Sequence, residues 1–344
     1  MLYGYPTRNL YSKPRRKKKM TKKMAKKNHP SFFAASGFLL AFCSVSAHAD
    51  DSQWYTGSLV SPSGAVAHAG VVGIEPYYSY TQPIGAFASD GSSHPQHPRQ
   101  QTFSNSTMWK YGITDHLSIQ AHTVVNYGWE NGHGHSSGPK FGDFPVDMVW
   151  RFVDPNPKKY IPAFNLFAGV YFPTGDYNKL QNKQDGNGNG AYVFRMAITE
   201  QSTYVVNGNH ALRLRTWGWF RHALASTQLE DVTSYGTTAG FHGRGRPGMS
   251  GQSGFSLEYG LNQSWVLAMD LARDWTNGSR VWGSDAHGKH VDRIASSSGD
   301  WQIAPAIEYS WTPRFGVIVG SSIFYAGHNT GVKVSPQFAV NMVY

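Results

Sequence analysis

The chain ends Val332-Lys333-Val334-Ser335-Pro336-Gln337-Phe338-Ala339-Val340-Asn341-Met342-Val343-Tyr344, so that Val332, Val334, Pro336, Phe338, Val340, Met342 and Tyr344 alternate with Lys333, Ser335, Gln337, Ala339, Asn341 and Val343. A period of two is that of a β-strand, and this strand is apolar on one face and mostly polar on the other. An amphipathic strand finishing on an aromatic residue is the closing strand expected of a bacterial outer-membrane barrel. Its expected partners are outer-membrane lipid along the apolar face and the barrel-assembly machinery, which reads the terminal Tyr344.

The other terminus supplies an address. Residues 1–49 hold eleven of the 31 Lys+Arg and no Asp or Glu. The apolar run from Phe32 to Val45 that follows the basic stretch is too short to span a membrane, which takes roughly 20 residues, but has the length of a signal-peptide core. Ala47-His48-Ala49 then gives a small-x-small cleavage pattern, which places the start of the mature chain at Asp50. The leader is long, and a start at Met20 or Met24 gives one of ordinary length.

Removing the leader overturns the charge argument. Of the 31 basic residues 20 remain, against 21 acidic ones, so the net charge of +10 belongs to the leader. That excludes nucleic acid as a partner inferred from charge. The single cysteine, Cys43, also lies in the leader, where the bulky Phe42 before it speaks against a lipid-anchor site. A mature chain without disulfides suits a barrel, whose closed hydrogen-bond network stabilises it instead.

Beyond residue 49 no apolar stretch approaches 18 residues, which excludes a helical membrane protein. Alternating segments of about ten residues, divided by Gly, Asn, Asp and Ser clusters, predict strands. They fall at 71–80, 103–111, 116–127, 141–152, 161–172, 191–205, 211–222, 252–261, 264–273, 300–310, 315–326 and 332–344. The expected organisation is a signal peptide (1–49), an N-terminal periplasmic segment (50–70) and an all-β, antiparallel transmembrane barrel of about 12 strands (71–344). Connections support it: long links at 81–102, 128–140, 173–190, 223–251 and 274–299 alternate with short ones at 112–115, 206–210, 261–264 and 311–314. A soluble β-sandwich would also alternate apolar and polar residues, but has no such rhythm of loop lengths.

The alternation also assigns faces. Leu117, Ile119, Ala121, Val125 and Tyr127 share one side of their strand, and His116, Ser118, Gln120, His122 and Asn126 the other. Aromatics such as Trp150, Tyr259, Trp265, Trp301, Tyr309 and Trp311 fall near strand ends, where interfacial girdles belong.

Three stretches carry a family resemblance: Gly73-Ile74-Glu75-Pro76-Tyr77-Tyr78-Ser79-Tyr80, Tyr111-Gly112-Ile113-Thr114-Asp115-His116-Leu117-Ser118-Ile119 and Gly169-Val170-Tyr171-Phe172-Pro173-Thr174-Gly175-Asp176-Tyr177. They are similar to the MetA-pathway of phenol degradation family of outer-membrane barrels. The resemblance implies transport of small apolar or aromatic compounds; its motifs are turn and loop signals rather than chemistry.

On the polar faces stand Glu75, Lys110, Asp147, Arg151, Arg195, Arg213, Arg215, Glu258, Asp270 and Glu308, the candidate pore-lining residues. Charges of both signs inside a barrel must be met by pairing or by water. They make either a charge-selective constriction or a salt-bridged, closed interior. Glu258 is the natural partner of Arg213 or Arg215, and the crowding of these two with Arg195 is the pattern an anionic ligand would compensate.

No catalytic set is expected. Ser118 and His122, four apart on one strand face, lie about 13 Å apart and cannot act as nucleophile and base; no Gly-x-Ser-x-Gly occurs. The loop histidines His94, His97, His133, His135, His287 and His290, with Asp285 and Asp292, offer imidazole and carboxylate but sit in Gly-rich loops without a four-ligand frame, so neither metal nor cofactor is expected. Asp185-Gly186-Asn187-Gly188-Asn189-Gly190 lacks the glutamate of a calcium loop and reads as a mobile loop tip. The expectation is therefore a non-enzymatic, porin-like outer-membrane barrel, a passive channel or facilitator for small, hydrophobic or aromatic solutes. The alternative is a non-transporting barrel that acts through its long outer loops.

Overall fold

The computed structural model describes residues 53–95, 100–132, 134–207 and 210–344. The expected leader with Cys43, Met20, Met24 and the Ala49 cleavage site, together with His97 and His133, lies outside the described residues.

Twelve long strands form the wall: β1 (Val72–Phe87), β2 (Gln100–Thr114), β3 (Leu117–Glu130), β4 (Phe144–Val153), β5 (Ala163–Phe172), β6 (Val193–Asn207), β7 (His210–Ala223), β8 (Ser250–Gly260), β9 (Trp265–Thr276), β10 (Ser298–Thr312), β11 (Phe315–His328) and β12 (Thr330–Val343). Each runs antiparallel to the next, and β12 pairs with β1 from Gly73↔Val343 to Phe87↔Thr330, closing the barrel. Closure satisfies the backbone of every wall strand without a free edge, the condition for β-structure in lipid. All twelve predicted segments correspond to wall strands.

The two-residue period decides what each side sees. On β9 Trp265, Leu267, Met269 and Leu271 are exposed outward, while Val266, Ala268, Asp270 and Ala272 are buried inside. Aromatic rings gather at the two rims. Trp265, Tyr309, Trp311 and Phe315 form a chain with centroids 4.7, 4.9 and 5.1 Å apart at the end that bears the short turns. Tyr80, Trp129 and Tyr127 mark the other end. At the seam Tyr78 of β1 stacks on Phe338 of β12 at 5.0 Å.

Turns at the lower rim are tight except at 154–162, where a short 3-10 turn, Pro157–Lys159, is capped by the Asn156 side chain. The upper hairpin between β11 and β12 turns at Asn329, in the left-handed region with φ 51°. Between β3 and β4 the ladder is regular only from Leu117↔Trp150 to Ala121↔Val146 and resumes at Val125↔Phe141. Pro145, which has no N–H to donate, stands in the gap.

The long outer loops carry structure that alternation in the wall does not foretell. Thr227–Glu230, His242–Arg246, Arg280–Ser284 and His290–Ile294, from the β7–β8 and β9–β10 connections, form a second, four-stranded sheet. Leu229, Phe241 and Val281 are its buried core, with Tyr177, Tyr235 and Val291 packed around them. Arg280 holds Asp292 at 2.8 Å across two of its strands, a hydrogen bond that keeps the Asp292 carboxyl below its ordinary range.

The expectation of a mobile tip at Asp185–Gly190 is corrected. Asp185 is buried and its carboxylate accepts the Ser137 N–H at 2.7 Å. Ser234 Oγ and Tyr235 Oη donate to the carbonyls of Gly188 and Asn189 at 2.8 and 2.7 Å. Small residues here serve close packing between loops, which composition alone does not distinguish from mobility.

The N-terminal segment also departs from expectation. The sequence predicts an N-terminal periplasmic segment over residues 50–70, but residues 54–69 run inside the barrel. Trp54 N–H donates to the Gln263 carbonyl at the β8–β9 turn, and Gly70 N–H reaches Gly112 of β2. Between those points the segment crosses the lumen from the β9–β10 wall to the β2–β5 wall before it enters β1.

Candidate channel interior

All ten charged residues expected on the polar faces point inward. Their depth is set by register. One ring of paired positions runs Gly73, Lys110, Gln120, Asp147, Gly169, Arg195, Arg221 around β1 to β7. Arg195 Nη1 donates to Asp147 at 2.9 Å although β5 lies between their strands. Gly169 makes this possible: a Cβ there would fall on the Asp147 carboxylate and backbone. Gln120 adds a donor to the same carboxylate at 3.3 Å. The pair is nearly dry, so a lost partner would strand a buried charge.

Nearer the lower rim, Arg213 Nε donates to Glu258, and Arg215 lies 3.7 Å from the same oxygen. The partnership expected for Glu258 therefore holds with both arginines. Arg215 also donates to Gln201 at 3.0 Å and to Ser61 at 2.7 Å, and Arg213 stacks over Tyr55 at 3.6 Å. Two of these contacts belong to the N-terminal segment.

The other wall carboxylates hold that segment by its donors. Glu308 accepts the N–H and hydroxyl of Thr56 at 2.7 and 2.9 Å. Asp270 accepts Ser58 Oγ at 2.6 Å and the Val60 N–H at 3.0 Å. Across the lumen Asn165 and Lys110 donate to the carbonyls of Gly64 and Ala65 at 3.0 and 3.3 Å, and the Ala67 N–H donates to Ser118 Oγ at 3.0 Å. An extended segment with no ladder of its own thus has its backbone satisfied by the wall, as burial demands.

Two apolar side chains fix its ends. Leu59 is buried among Ala268, Ala304, Ala306, Ile318 and Ala339 of β9 to β12. Val66 packs on Val149, Phe167 and Ala197 of β4 to β6, with Trp219 beside them. Small inward residues make the first pocket; a Cβ at Gly320 would come within 2.7 Å of Leu59 Cδ1.

Above and beside the segment lies a cavity of about 580 Å³, bordered by residues 55–68 and by the walls. Of the ten expected residues Glu75, Lys110, Arg195, Arg213 and Arg215 border it. Asp147, Arg151, Glu258, Asp270 and Glu308 do not; four of these are the carboxylates already engaged. Arg221, Trp219 and His122, none of them among the ten, border it as well. The signal was present, since 213, 215, 217, 219 and 221 continue one face of β7. Among the described residues no group of three His, Cys, Asp or Glu side chains could hold a metal ion.

A family model described as "Putative MetA-pathway of phenol degradation" matches residues 83–214, from the end of β1 into β7. The crystal structure of an outer membrane channel from Pseudomonas putida F1 superimposes with a TM-score of 0.60 at 15% identity, covering 83% of this chain and 100% of that one. The transport unit of the autotransporter AIDA-I from Escherichia coli gives 0.41 at 11% identity, covering 79% and 89%. The translocator domain of the autotransporter NalP from Neisseria meningitidis gives 0.39 at 11%, covering 80% and 89%. No curated protein matches the chain. At such identities the likeness is one of fold. The chain is a closed twelve-stranded antiparallel β-barrel with the fold of an outer membrane channel, and its residues 83–214 match the model of the MetA-pathway of phenol degradation family.

Proposed function

We propose that the protein is a passive channel for small solutes, hydrophobic or aromatic ones among them, with residues 54–69 as the constriction of its lumen. The observation that carries this reading is the way the lumen is filled. A wall built only for rigidity would be filled by its own side chains, as small barrels are. Here the interior is occupied by a separate segment, held through hydrogen bonds and two apolar anchors, with an unfilled cavity beside it. Such a filling can shift without breaking the wall.

The chain carries no catalytic role in this reading: Ser118 Oγ is engaged by the Ala67 N–H, and no base adjoins it. Outer-membrane lipid is the surround of the outward apolar face, and the assembly machinery the partner of the strand that ends at Tyr344. A second reading, a non-transporting surface protein, is favoured by the structured sheet of the outer loops with its own apolar core. Single-channel recording in planar bilayers separates the two. The channel reading expects small discrete conductance steps; silence from both the natural chain and a chain lacking residues 54–69 would overturn it in favour of the second.

A further inference from the structure

Arg221 borders the cavity, and among the described residues no carboxylate forms an ion pair with it. It stands opposite Arg195 in the β6–β7 ladder, on the face that also bears Trp219. Its guanidinium carbon lies 4.5 Å from the ring centre of Tyr171 and 4.3 Å from that of Trp219. Aromatic surfaces, not acids, therefore hold it. Its Nε is buried without a hydrogen-bond partner, and so are Arg195 Nε and His122 Nε2. The carboxylate of the same ring, Asp147, takes Arg195 and Gln120 on Oδ2, while its Oδ1 is buried without a hydrogen-bond partner. Three side chains that border the cavity thus each hold a buried nitrogen without a hydrogen-bond partner, two of them on guanidinium groups.

A guanidinium supported through its ring contacts presents its in-plane N–H edge, the geometry that takes a planar carboxylate through two parallel hydrogen bonds. The lining next to that edge is apolar as well as cationic: Trp219, Met108, Val66 and Tyr77 border the same space. Its volume lies in the range of sites for small organic ligands. We propose that Arg221, with Arg195 and His122, binds the carboxylate of a small monocyclic aromatic acid whose ring lies against these side chains. This rests on the channel reading and narrows its solutes to organic anions at this station of the lumen.

The test uses the mature protein folded in detergent, with sodium benzoate as the probe in titration calorimetry. The expected result is saturable binding of benzoate, with neutral benzamide and the ringless anion acetate both bound more weakly. Arg221→Gln should weaken benzoate about ten- to hundredfold, the worth of charge-assisted hydrogen bonds. If that variant does not fold, the comparison of benzoate with benzamide on the unaltered protein decides. Absence of benzoate binding, equal binding of benzamide, or an undiminished affinity in Arg221→Gln would each overturn the site; acetate bound as well as benzoate would overturn its aromatic character. Conductance of the same preparation keeps the two claims apart. Benzoate bound through Arg221 by a barrel that never conducts would remove the channel reading and leave the site, whereas conduction without benzoate binding would do the reverse.

Discussion

Replacing Leu59 by alanine tests whether the segment in the lumen is a movable constriction. Leu59 is the larger of the two apolar anchors, and the residues around it are mostly alanines that cannot close over a vacated space. In well-packed surroundings Leu→Ala costs about 2–5 kcal/mol. Each 1.4 kcal/mol is a factor of ten, so the ratio of docked to released segment should fall about 30- to 4,000-fold. The docked state keeps the bonds to Glu308 and Asp270, each worth about 1.5–3 kcal/mol as hydrogen bonds to charged groups. The variant is therefore expected to remain docked most of the time and to open transiently.

In planar bilayers this should appear as brief steps of larger amplitude on an otherwise unchanged current. A second readout needs no current. Cys43 lies in the expected leader, so a cysteine introduced at Ser58 would be the sole thiol of the mature barrel. It should resist a membrane-impermeant maleimide when Leu59 is intact, because position 58 is buried and the Thr56 and Val60 N–H bonds to Glu308 and Asp270 remain, and react faster with Leu59→Ala. A folded variant with the natural step size, step frequency and labelling rate would refute the idea that Leu59 holds the constriction.

Other expectations follow from register, topology and pairing. Val319→Arg, which turns a charge to lipid, should prevent assembly at a cost of about 2–4 kcal/mol, while Gln337→Arg on the inner face of the neighbouring strand should still give a heat-modifiable band on unboiled gels. An epitope tag at the exposed Gly288 should bind antibody on intact cells, and one at Asn262 only after the outer membrane is permeabilised. Gly169→Ala should separate Asp147 from Arg195 and lower stability in urea by about 3–5 kcal/mol, the usual cost of breaking a buried pair. Arg213→Gln with Arg215→Gln should move the reversal potential in a salt gradient toward cation preference, because Glu258 would lose both partners.

The wall was legible because it obeys a rule with one parameter. Lipid on one side and an enclosed space on the other force a period of two, so the C-terminal strand alone sets a register that Tyr78 and Phe338 keep at the seam. The same rule placed ten inward charges and paired Glu258 with its arginines. It fails where burial is not alternating. Residues 54–69 touch wall on several sides, hence Leu59 and Val66 stand seven apart with two serines and one proline among the residues between them, and no period announces that they are anchors. The four-stranded sheet of the outer loops was hidden for a related reason. Its strands are four or five residues long, rich in glycine and arginine, and their apolar core is assembled from three separate loops.

The charge of the interior shows most clearly what a list of residues leaves out. Read along the sequence, the ten inward charges are five acids and five bases, an even balance that favours neither ion. In the fold the acids are spent first: Asp147 on Arg195, Glu258 on Arg213, Asp270 and Glu308 on the segment's hydroxyls and amides. Glu75 is the one acid bordering the cavity, against Lys110, Arg195, Arg213, Arg215 and Arg221. Two of the four spent carboxylates are covered, with their charge intact, by the segment proposed to move, so the preference of the lumen is tied to its occupancy. With the segment docked the space presents mainly cations and should favour anions; with it released, Asp270 and Glu308 return to the lumen and the preference should move toward cations. Selectivity and constriction are then one equilibrium, and the transient openings of the Leu59→Ala variant should carry a different reversal potential from its resting current.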